Sequence, residues 1–281
     1  MPIYEQTYRR YEARAPLRTV RFWPITREAL RLILARRAFL GLLLVAWGQF
    51  LFRVIQIYVV TRLPEAGRVL PIDGRMFGQF LAIQTLFTLL LSIFGGAGLI
   101  ANDLRTGAIL VYLSRPLTRR DYVLGKLGVL MALNLSVTLV PGLLLYLIAL
   151  ALAPDQFAKW SLAWIGPAVV AQSLAISLVM GLVTLAVSAL SKSARVAGLG
   201  FFGLLIGLEV ARGILHAVYR RPETALLSLQ ASLRSLGVSL FGLSERAVSL
   251  PWAYPAVVLA LVCAGCLLIL RSRVRAVEIV R

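Results

Sequence analysis

The sequence places two opposite charges close together inside an otherwise apolar run. Glu209 and Arg212 lie three residues apart between residues 198 and 217, so on a helix they share a face, and His216 follows on that face. An unpaired charge within a bilayer costs at least about 2.5–3.5 kcal/mol on insertion scales. These side chains are therefore expected to face protein or water. Two readings remain open: a polar translocation path or gate, and a structural ion pair that locks the bundle.

A second polar face is predicted in the first apolar run. Gln49, Arg53 and Gln56 recur at helical spacing. Counted from the inner ends of their runs, Arg53 and Arg212 lie at similar depth, about one turn outward of Glu209. Either arginine could therefore pair with Glu209.

Small residues in the last two apolar runs predict packing contacts. Gly203, Gly207 and Ala211 form a stripe roughly opposite the charged face, which permits the close approach of another helix. Cys263 and Cys266 share one helical face. Redox and metal sites of this spacing sit at turns or need further ligands, so the two cysteines are expected to pack as small apolar residues.

The motifs of catalysis are missing from the sequence. It contains no G-x-x-x-x-G-K-[ST] phosphate-binding loop, no G-x-S-x-G and no H-E-x-x-H, and it has a single histidine. The acidic residues predicted to be cytoplasmic are scattered, without a carboxylate pair for acid–base work. We expect a non-catalytic membrane subunit with no metal and no cofactor of its own.

Residues 101–126 form the longest polar break on the side assigned below to the cytoplasm. Five Lys or Arg and two Asp residues occur here, yet apolar residues such as Leu110 and Leu113 continue through it. A solvated loop does not need them, so the segment is expected to dock onto a partner.

The same segment carries signals for a helix, a turn and a second helix. Asn102 or Asp103 is predicted to cap a short helix that runs to about Ser114. Arg115-Pro116 is predicted to break it, because the residue before proline avoids the helical region. Thr118, with Asp121 three residues on, resembles a capping box that opens the next helix.

The elements that position these residues are membrane-spanning helices. The chain is 59% hydrophobic and 15% charged, with mean hydropathy +0.84, outside the range of soluble domains. The predicted fold is an all-α polytopic membrane protein, with one six-helix domain over residues 38–270 between polar segments 1–37 and 271–281. Its spans are predicted at about 38–60, 79–100, 127–152, 164–190, 198–217 and 251–270.

Charge asymmetry orients these spans. Six spans place both termini on one side, and 20 of the 30 Lys and Arg residues fall in the segments of that side. Excess Lys and Arg mark the cytoplasmic face, so both termini and residues 101–126 are predicted to be cytoplasmic. The formal net charge of +18 is read as this topology signal and not as a nucleic-acid surface.

Two further helical segments are predicted outside the spans. Residues 24–37 resemble an amphipathic helix lying in the membrane interface, with Pro24 in the first turn and Thr26 as a candidate cap. The external segment 218–250 is too apolar for open water. It is expected to hold one or two short helices, beginning near Pro222, that dip into the outer leaflet or cap the bundle.

The string NDLRTGAILVYLSRPLTRRDYVLGK at residues 102–126 resembles the permease subunits of ABC-2-type ABC transporters. The likeness lies in an acid, a glycine, a Leu-Ser-x-Pro and a following Gly-Lys. The six-span plan, the amphipathic N-terminal helix, SALSKSARVAG at 188–198 and the long external segment also match.

The resemblance implies an ABC ATPase subunit bound in trans, and a second permease copy or paralogue, in the inner (cytoplasmic) membrane. The loop between the second and third spans would be the coupling element seated in the ATPase, and the 191–197 loop a lesser contact. Carried over, these roles fall on Asp103, Arg105, Thr106, Gly107, Leu110, Leu113, Ser114, Arg115, Pro116, Thr118 and Arg119, and on Lys192 and Arg195.

Two functions of different classes follow from the sequence. The first is the permease subunit of an ABC transporter, with export of an unidentified substrate driven by ATP that only the partner binds. The second is an ATP-independent membrane protein. It would be either a carrier that uses Glu209, Arg212 and His216 or a non-transporting anchor for a cytosolic partner. Carriers commonly contain internal repeats, and none is convincing here.

Overall fold

The computed structural model describes residues 22–63, 70–108, 118–152, 163–243 and 251–273. Throughout these ranges the regular structure is helical, without a strand, which confirms the all-α prediction. The helices are α1 Trp23–Leu34, α2 Arg37–Arg62, α3 Gly74–Leu91, α4 Gly98–Thr106, α5 Arg119–Val137, α6 Leu139–Leu152, α7 Ile165–Leu190, α8 Ala194–Tyr219, α9 Leu229–Leu240 and α10 Ala253–Arg273.

Six helical stretches are long and apolar enough to cross a membrane, as predicted. They are α2, α3 with α4, α5 with α6, α7, α8 and α10, and they are called the first to sixth spans below. The end of the bundle that carries Thr106 and Arg119 is called the inner end. The opposite end, where Gly74 and Tyr219 lie, is the outer end.

The second span contains a π-helical segment, Ser92–Gly96, between α3 and α4. The helix then continues to Thr106 and ends at Gly107, whose φ of 70° is left-handed and suits glycine. Asn102 and Asp103 thus lie inside the last turns of the second span. The prediction that either one caps a new helix is wrong, because no break separates them from the apolar run. The predicted end at Ser114 and the predicted break at Arg115-Pro116 lie outside the described residues.

Close packing explains the glycines at the π segment. A Cβ on Gly96 would lie 2.6 Å from Leu130 Cδ2 and 2.8 Å from Thr184 Cγ2. The second span therefore approaches the third and fourth spans most closely where its helical geometry changes.

The third span begins with the predicted capping box. The Thr118 hydroxyl accepts from the Asp121 amide, and the Asp121 carboxylate accepts from the Thr118 amide at 3.0 Å. This reciprocal pair fixes the start of α5 at Arg119.

Helix α1 packs along the inner part of α5. Pro24 lies in its first turn, as predicted. The Thr26 hydroxyl does not cap the helix, contrary to expectation. It is buried, and it donates to the Gly125 carbonyl at 2.9 Å, because Gly125 lets α1 come close to α5.

The fourth span α7 is the central helix of the bundle. It contacts α3, α4, α5, α6, α8, α9 and α10. Its buried residues run from Ile165 to Ala189 and include several serines as well as apolar side chains. The core of the molecule is therefore arranged around this helix.

Between the fifth and sixth spans the chain forms the two short helices expected there, a 3₁₀ helix Pro222–Leu227 and then α9. The Ser228 side chain caps α9 by accepting from the Ala231 amide. Helix α9 contacts α3, α7, α8 and α10, so it caps the outer end of the bundle.

Candidate functional site

At the inner end, a buried ion pair joins the second and third spans. Lys126 Nζ lies 2.7 Å from Asp103 Oδ2, and their side chains are 6% and 17% exposed. The Tyr122 hydroxyl donates to the same carboxylate oxygen at 2.7 Å. These contacts hold the two helices that flank the predicted coupling loop in one fixed arrangement.

Ser188 of α7 attaches the second span to the fourth. Its buried hydroxyl donates to the Ala97 carbonyl at 2.7 Å. It also accepts from the amides of Ile100, at 3.2 Å, and Ala101, at 3.0 Å. Three backbone groups just past the π segment are thus bound to one side chain of the central helix.

The inner ends of the second and fifth spans meet in a cleft beside these contacts. The cleft has a volume of about 490 Å³ and is lined by Asn102, Arg105, Ser193, Ala194 and Arg195. Arg105 and Arg195 are both exposed. Two residues from the two segments predicted to contact an ATPase are therefore brought together.

The remaining predicted coupling residues are placed as follows. Thr106 ends α4 and donates through its hydroxyl to the Asn102 carbonyl at 2.9 Å. Thr118 and Arg119 begin α5, and Lys192 lies exposed in the turn between the fourth and fifth spans. Five of the predicted residues lie outside the described residues: Leu110, Leu113, Ser114, Arg115 and Pro116.

In the fifth span, Glu209 pairs with Arg212. Arg212 donates to Glu209 Oε1 through Nε, at 2.9 Å, and through Nη2. The other carboxylate oxygen accepts from the Ser228 hydroxyl. The pair is thus also a link from the fifth span to the residue that caps α9.

His216 makes a second contact between the same elements. Its Nδ1 lies 3.1 Å from Thr224 Oγ1 in the 3₁₀ helix. His216 does not contact Glu209, so the three residues of the predicted face do not form one hydrogen-bonded group.

Arg53 does not pair with Glu209, which removes one of the two partners predicted for that carboxylate. Its Nη1 donates to Gln56 Oε1 at 2.6 Å and its Nη2 to Gln79 Oε1 at 3.4 Å. Arg53 is 8% exposed, and in the described part of the chain it has no acidic partner. Gln79 belongs to the second span. The hydropathy of two spans does not determine which of their residues lie opposite each other, so this contact could not be predicted.

The outer end contains a larger cavity that the sequence did not reveal. It measures about 520 Å³, is open on one side and is lined by residues of α3, α7, α8, the 3₁₀ helix and α9. Glu209, Arg212 and His216 line it together with Arg75, Gln79, Gln172 and Arg234, which had not been singled out. The only available signal was their polar character near the outer ends of apolar runs.

The small-residue stripe of the fifth span faces no other helix of the described structure. Nothing lies within 4 Å of a Cβ built on Gly203 or Gly207. Ala211 is half-buried. If a helix packs closely on this stripe, it comes from outside the described residues.

Metal-binding geometry is not found in the described ranges, where no group of three His, Cys, Asp or Glu residues comes together. Cys263 and Cys266 are free thiols in the sixth span. Their surroundings are the apolar side chains of a membrane-spanning helix.

The sequence matches a known protein family. The profile of a family described as "ABC-2 family transporter protein" matches residues 66–227, more than half of the chain. The match begins before the second span and ends with the 3₁₀ helix, so it includes both segments predicted to contact an ATPase and several walls of the outer cavity. No curated protein matches the sequence significantly.

Proposed function

Because the chain belongs to the ABC-2 family of transporter proteins, we propose that it forms the export path of an ABC transporter in the cytoplasmic membrane. An ATPase subunit docks on residues 101–126 and on the 191–197 loop. The ATPase binds and hydrolyses ATP, and the permease moves the substrate.

The observation that carries this proposal is the construction of the inner end. Arg105 and Arg195 form one exposed basic cleft, although their segments are far apart in sequence. The helices behind the cleft are joined by the Asp103–Lys126 pair and by Ser188. A force applied at the cleft would therefore reach the second, third and fourth spans together.

ATP would act by shifting a population between two arrangements of the permease. A ligand shifts such an equilibrium only through contacts that differ between the two states. In this proposal the differential contacts lie at the cleft and on the loop that follows Gly107. The absence of a phosphate-binding loop from the sequence agrees with an ATPase supplied in trans.

A second permease copy would complete the path. The fifth span has an open small-residue stripe at Gly203 and Gly207, which suits close helix–helix approach in lipid. We place the partner permease, a second copy or a paralogue, against this stripe.

Charge reversal at the cleft tests the docking proposal. We expect Arg105→Glu with Arg195→Glu to weaken binding of the purified ATPase subunit at least about tenfold, or about 1.4 kcal/mol, because reversing two charges replaces attraction at the interface by repulsion. ATP-driven transport into inverted vesicles should fall with it. Arg221→Glu, an exposed arginine at the outer end, is the matched control and should change neither quantity.

The result that contradicts the proposal is unchanged ATPase binding and unchanged transport in a double variant that is folded normally. Transport that needs an ion gradient and no ATP would favour a carrier. A partner that binds while nothing is transported would favour a membrane anchor.

A further inference from the structure

The second, third and fourth spans carry three rows of buried polar side chains in the middle of the bundle. Within each row the residues are four positions apart, so they share one face of their helix. Every side chain in the rows is completely buried. The rows, called the polar seam below, are Gln84, Thr88 and Ser92 in the second span, Asn134 and Thr138 in the third, and Ser173 and Ser177 in the fourth.

Contacts at both ends of the polar seam show that the three rows lie at the same depth. At the outer end, a Cβ on Gly142 would lie 2.8 Å from Val169 Cγ1 and 3.8 Å from Phe80 Cε1. At the inner end lies the close contact of Gly96 with the third and fourth spans. Each of the three helices runs from one contact to the other through its row, so the rows lie together between these two points.

Much of the polar seam lacks hydrogen-bond partners. The atoms without a partner among the described residues are Ser92 Oγ, Ser173 Oγ, Ser177 Oγ, Gln84 Oε1 and both amide atoms of Asn134. A serine hydroxyl can turn to a carbonyl of its own helix, but Asn134 has an NH₂ group and a carbonyl oxygen to satisfy. Buried polar groups without partners are uncommon because they cost free energy. Water that reached these groups would remove that cost.

The polar seam is closed to water in this structure but adjoins the outer cavity. Its unpartnered atoms have essentially no accessible surface. Thr85 and Gln172, which line the outer cavity, directly neighbour Gln84 and Ser173 in the chain. If the three helices moved apart along the seam, the outer cavity would therefore extend inward as far as the contact at Gly96.

We propose that the polar seam is the closed form of a water-binding crevice that continues the outer cavity toward the π segment. From Gln84 to Ser92 the crevice extends about 12 Å, at 1.5 Å per residue. In the open form, water donates to Asn134 Oδ1 and accepts from its NH₂ group, while the hydroxyls of Ser173 and Ser177 bind neighbouring waters. Hydroxyl and amide groups suit water because it both donates and accepts.

Cysteine reactivity tests the proposal on the full-length chain in phosphatidylcholine nanodiscs, without an ATPase. Cys263 and Cys266 are replaced by alanine, and Ser177→Cys then places one thiol in the polar seam. Only the thiolate reacts with methyl methanethiosulfonate, and a thiol in dry apolar surroundings stays protonated. We expect Ser177→Cys to react at least about tenfold faster than Val179→Cys.

Val179 is the matched control for depth and burial. It lies two residues from Ser177 on the same helix, is 3% exposed and packs in the apolar core. Equal rates at the two positions overturn the proposal, because global unfolding exposes both thiols alike. A thiol at Ser177→Cys that does not react overturns it as well.

Asn134→Leu gives a second measurement. Leucine has a similar volume and needs no partner, so it should raise the melting temperature in detergent and slow the reaction of Ser177→Cys at least about tenfold. Ser136→Ala, which removes a hydroxyl that donates to the Leu133 carbonyl of its own helix, should change neither quantity. A lower melting temperature in Asn134→Leu, or an unchanged reaction rate, overturns the crevice.

Only the use of the crevice in transport rests on the proposed function. If Ser177→Cys reacts as expected and ATP-driven transport is absent, the proposed function fails and the crevice stands. If transport occurs and the thiols at positions 177 and 179 react equally, the crevice fails and the proposed function stands.

Discussion

The fourth and fifth spans follow each other directly in the chain and are each 26 residues long, yet they occupy opposite environments. In the most apolar stretch of the fourth span, 72% of the residues are buried inside the molecule, against 17% in the fifth. The mean hydropathies of these stretches, 2.2 and 1.6, are both typical of membrane spans. Hydropathy therefore separates membrane from water but does not separate protein core from lipid.

The two helices also use their small and polar residues differently. In the fourth span, Ser188 bonds to the neighbouring second span, and Gly181 gives room to Leu127 of the third. In the fifth span, Gly203 and Gly207 have open space beside them. The same residue types thus make contacts within the chain in the fourth span, whereas Gly203 and Gly207 of the fifth span have no close neighbour among the described residues.

The largest effect is expected when Ser188 loses its hydroxyl. Ser188→Ala removes an acceptor for two backbone amides and a donor to one carbonyl, all buried. We expect the free energy of unfolding to fall by about 2–3 kcal/mol, because buried backbone groups lose their partner. Denaturant titration in detergent measures this.

Ser191→Ala is the matched control, since the Ser191 hydroxyl bonds only within its own helix, to the Val187 carbonyl at 2.7 Å. The free energy of unfolding of Ser191→Ala is expected to lie within about 0.5 kcal/mol of the wild-type value. Equal effects at the two serines would contradict the role of Ser188 between helices.

A smaller effect is expected from the two glycines. A Cβ on Gly181 would lie 3.1 Å from Leu127 Cδ1. A Cβ on Gly203 would have no atom of the described structure within 4 Å. Gly181→Leu should destabilise the folded chain by about 1–3 kcal/mol through overpacking, and Gly203→Leu should not.

Gly203→Leu should instead reduce the fraction of permease dimer, measured by single-molecule photobleaching in liposomes. An unchanged dimer fraction would show that the stripe faces lipid.

Glu209→Gln is expected to lower the free energy of unfolding by about 1 kcal/mol. The effect is small because Glu209 is partly exposed and, outside its own helix, bonds only to Ser228 among the described residues. Melting temperature in detergent should fall while transport per folded protein stays near the wild-type value, if the pair is structural. Lost transport with unchanged melting would assign Glu209 to the pathway. Glu223→Gln, exposed on the 3₁₀ helix, is the control.

The smallest effect is expected at the outer contact of the fifth span. Thr224→Val removes the partner of His216 Nδ1 at 3.1 Å. His216 is exposed and its Nδ1 also lies 3.4 Å from the Arg221 carbonyl oxygen, so the free energy of unfolding should change by less than about 0.5 kcal/mol. A larger loss of unfolding free energy would show that His216, and not Glu209, holds the fifth span to the outer helices.

Local signals in the sequence were sufficient for much of the fold. Apolar runs predicted the six spans, Thr118 and Asp121 predicted the start of α5, and the three-residue spacing of Glu209 and Arg212 made Arg212 one of two candidate partners of Glu209. Each of these depends on residues within a few turns of one another, where helical geometry is known in advance.

Contacts between helices were not predictable in the same way. Ser188 binds backbone groups about 90 residues away, and Asp103 binds Tyr122 and Lys126 across a loop. Which faces meet depends on the rotation and the sliding of packed helices, and many registers bury a similar apolar area. For this reason the outer cavity and the contact of Arg53 with Gln79 emerged only from the three-dimensional arrangement.

The π segment Ser92–Gly96 sets the helical phase of everything that follows it. A π turn contains one residue more than an α turn, and one residue corresponds to about 100° of rotation around a helix. The last turns of the second span are therefore rotated by about that angle relative to an uninterrupted α-helix. This rotation lets Asp103 pair with Lys126. It also lets the amides of Ile100 and Ala101 donate to Ser188. A regular α-helix that kept all the residues of Ser92–Gly96 would leave the span long enough to cross the membrane, yet would turn its inner surface away from both neighbours. Deleting one residue from this segment would instead preserve the phase, because the wide turn holds one extra residue.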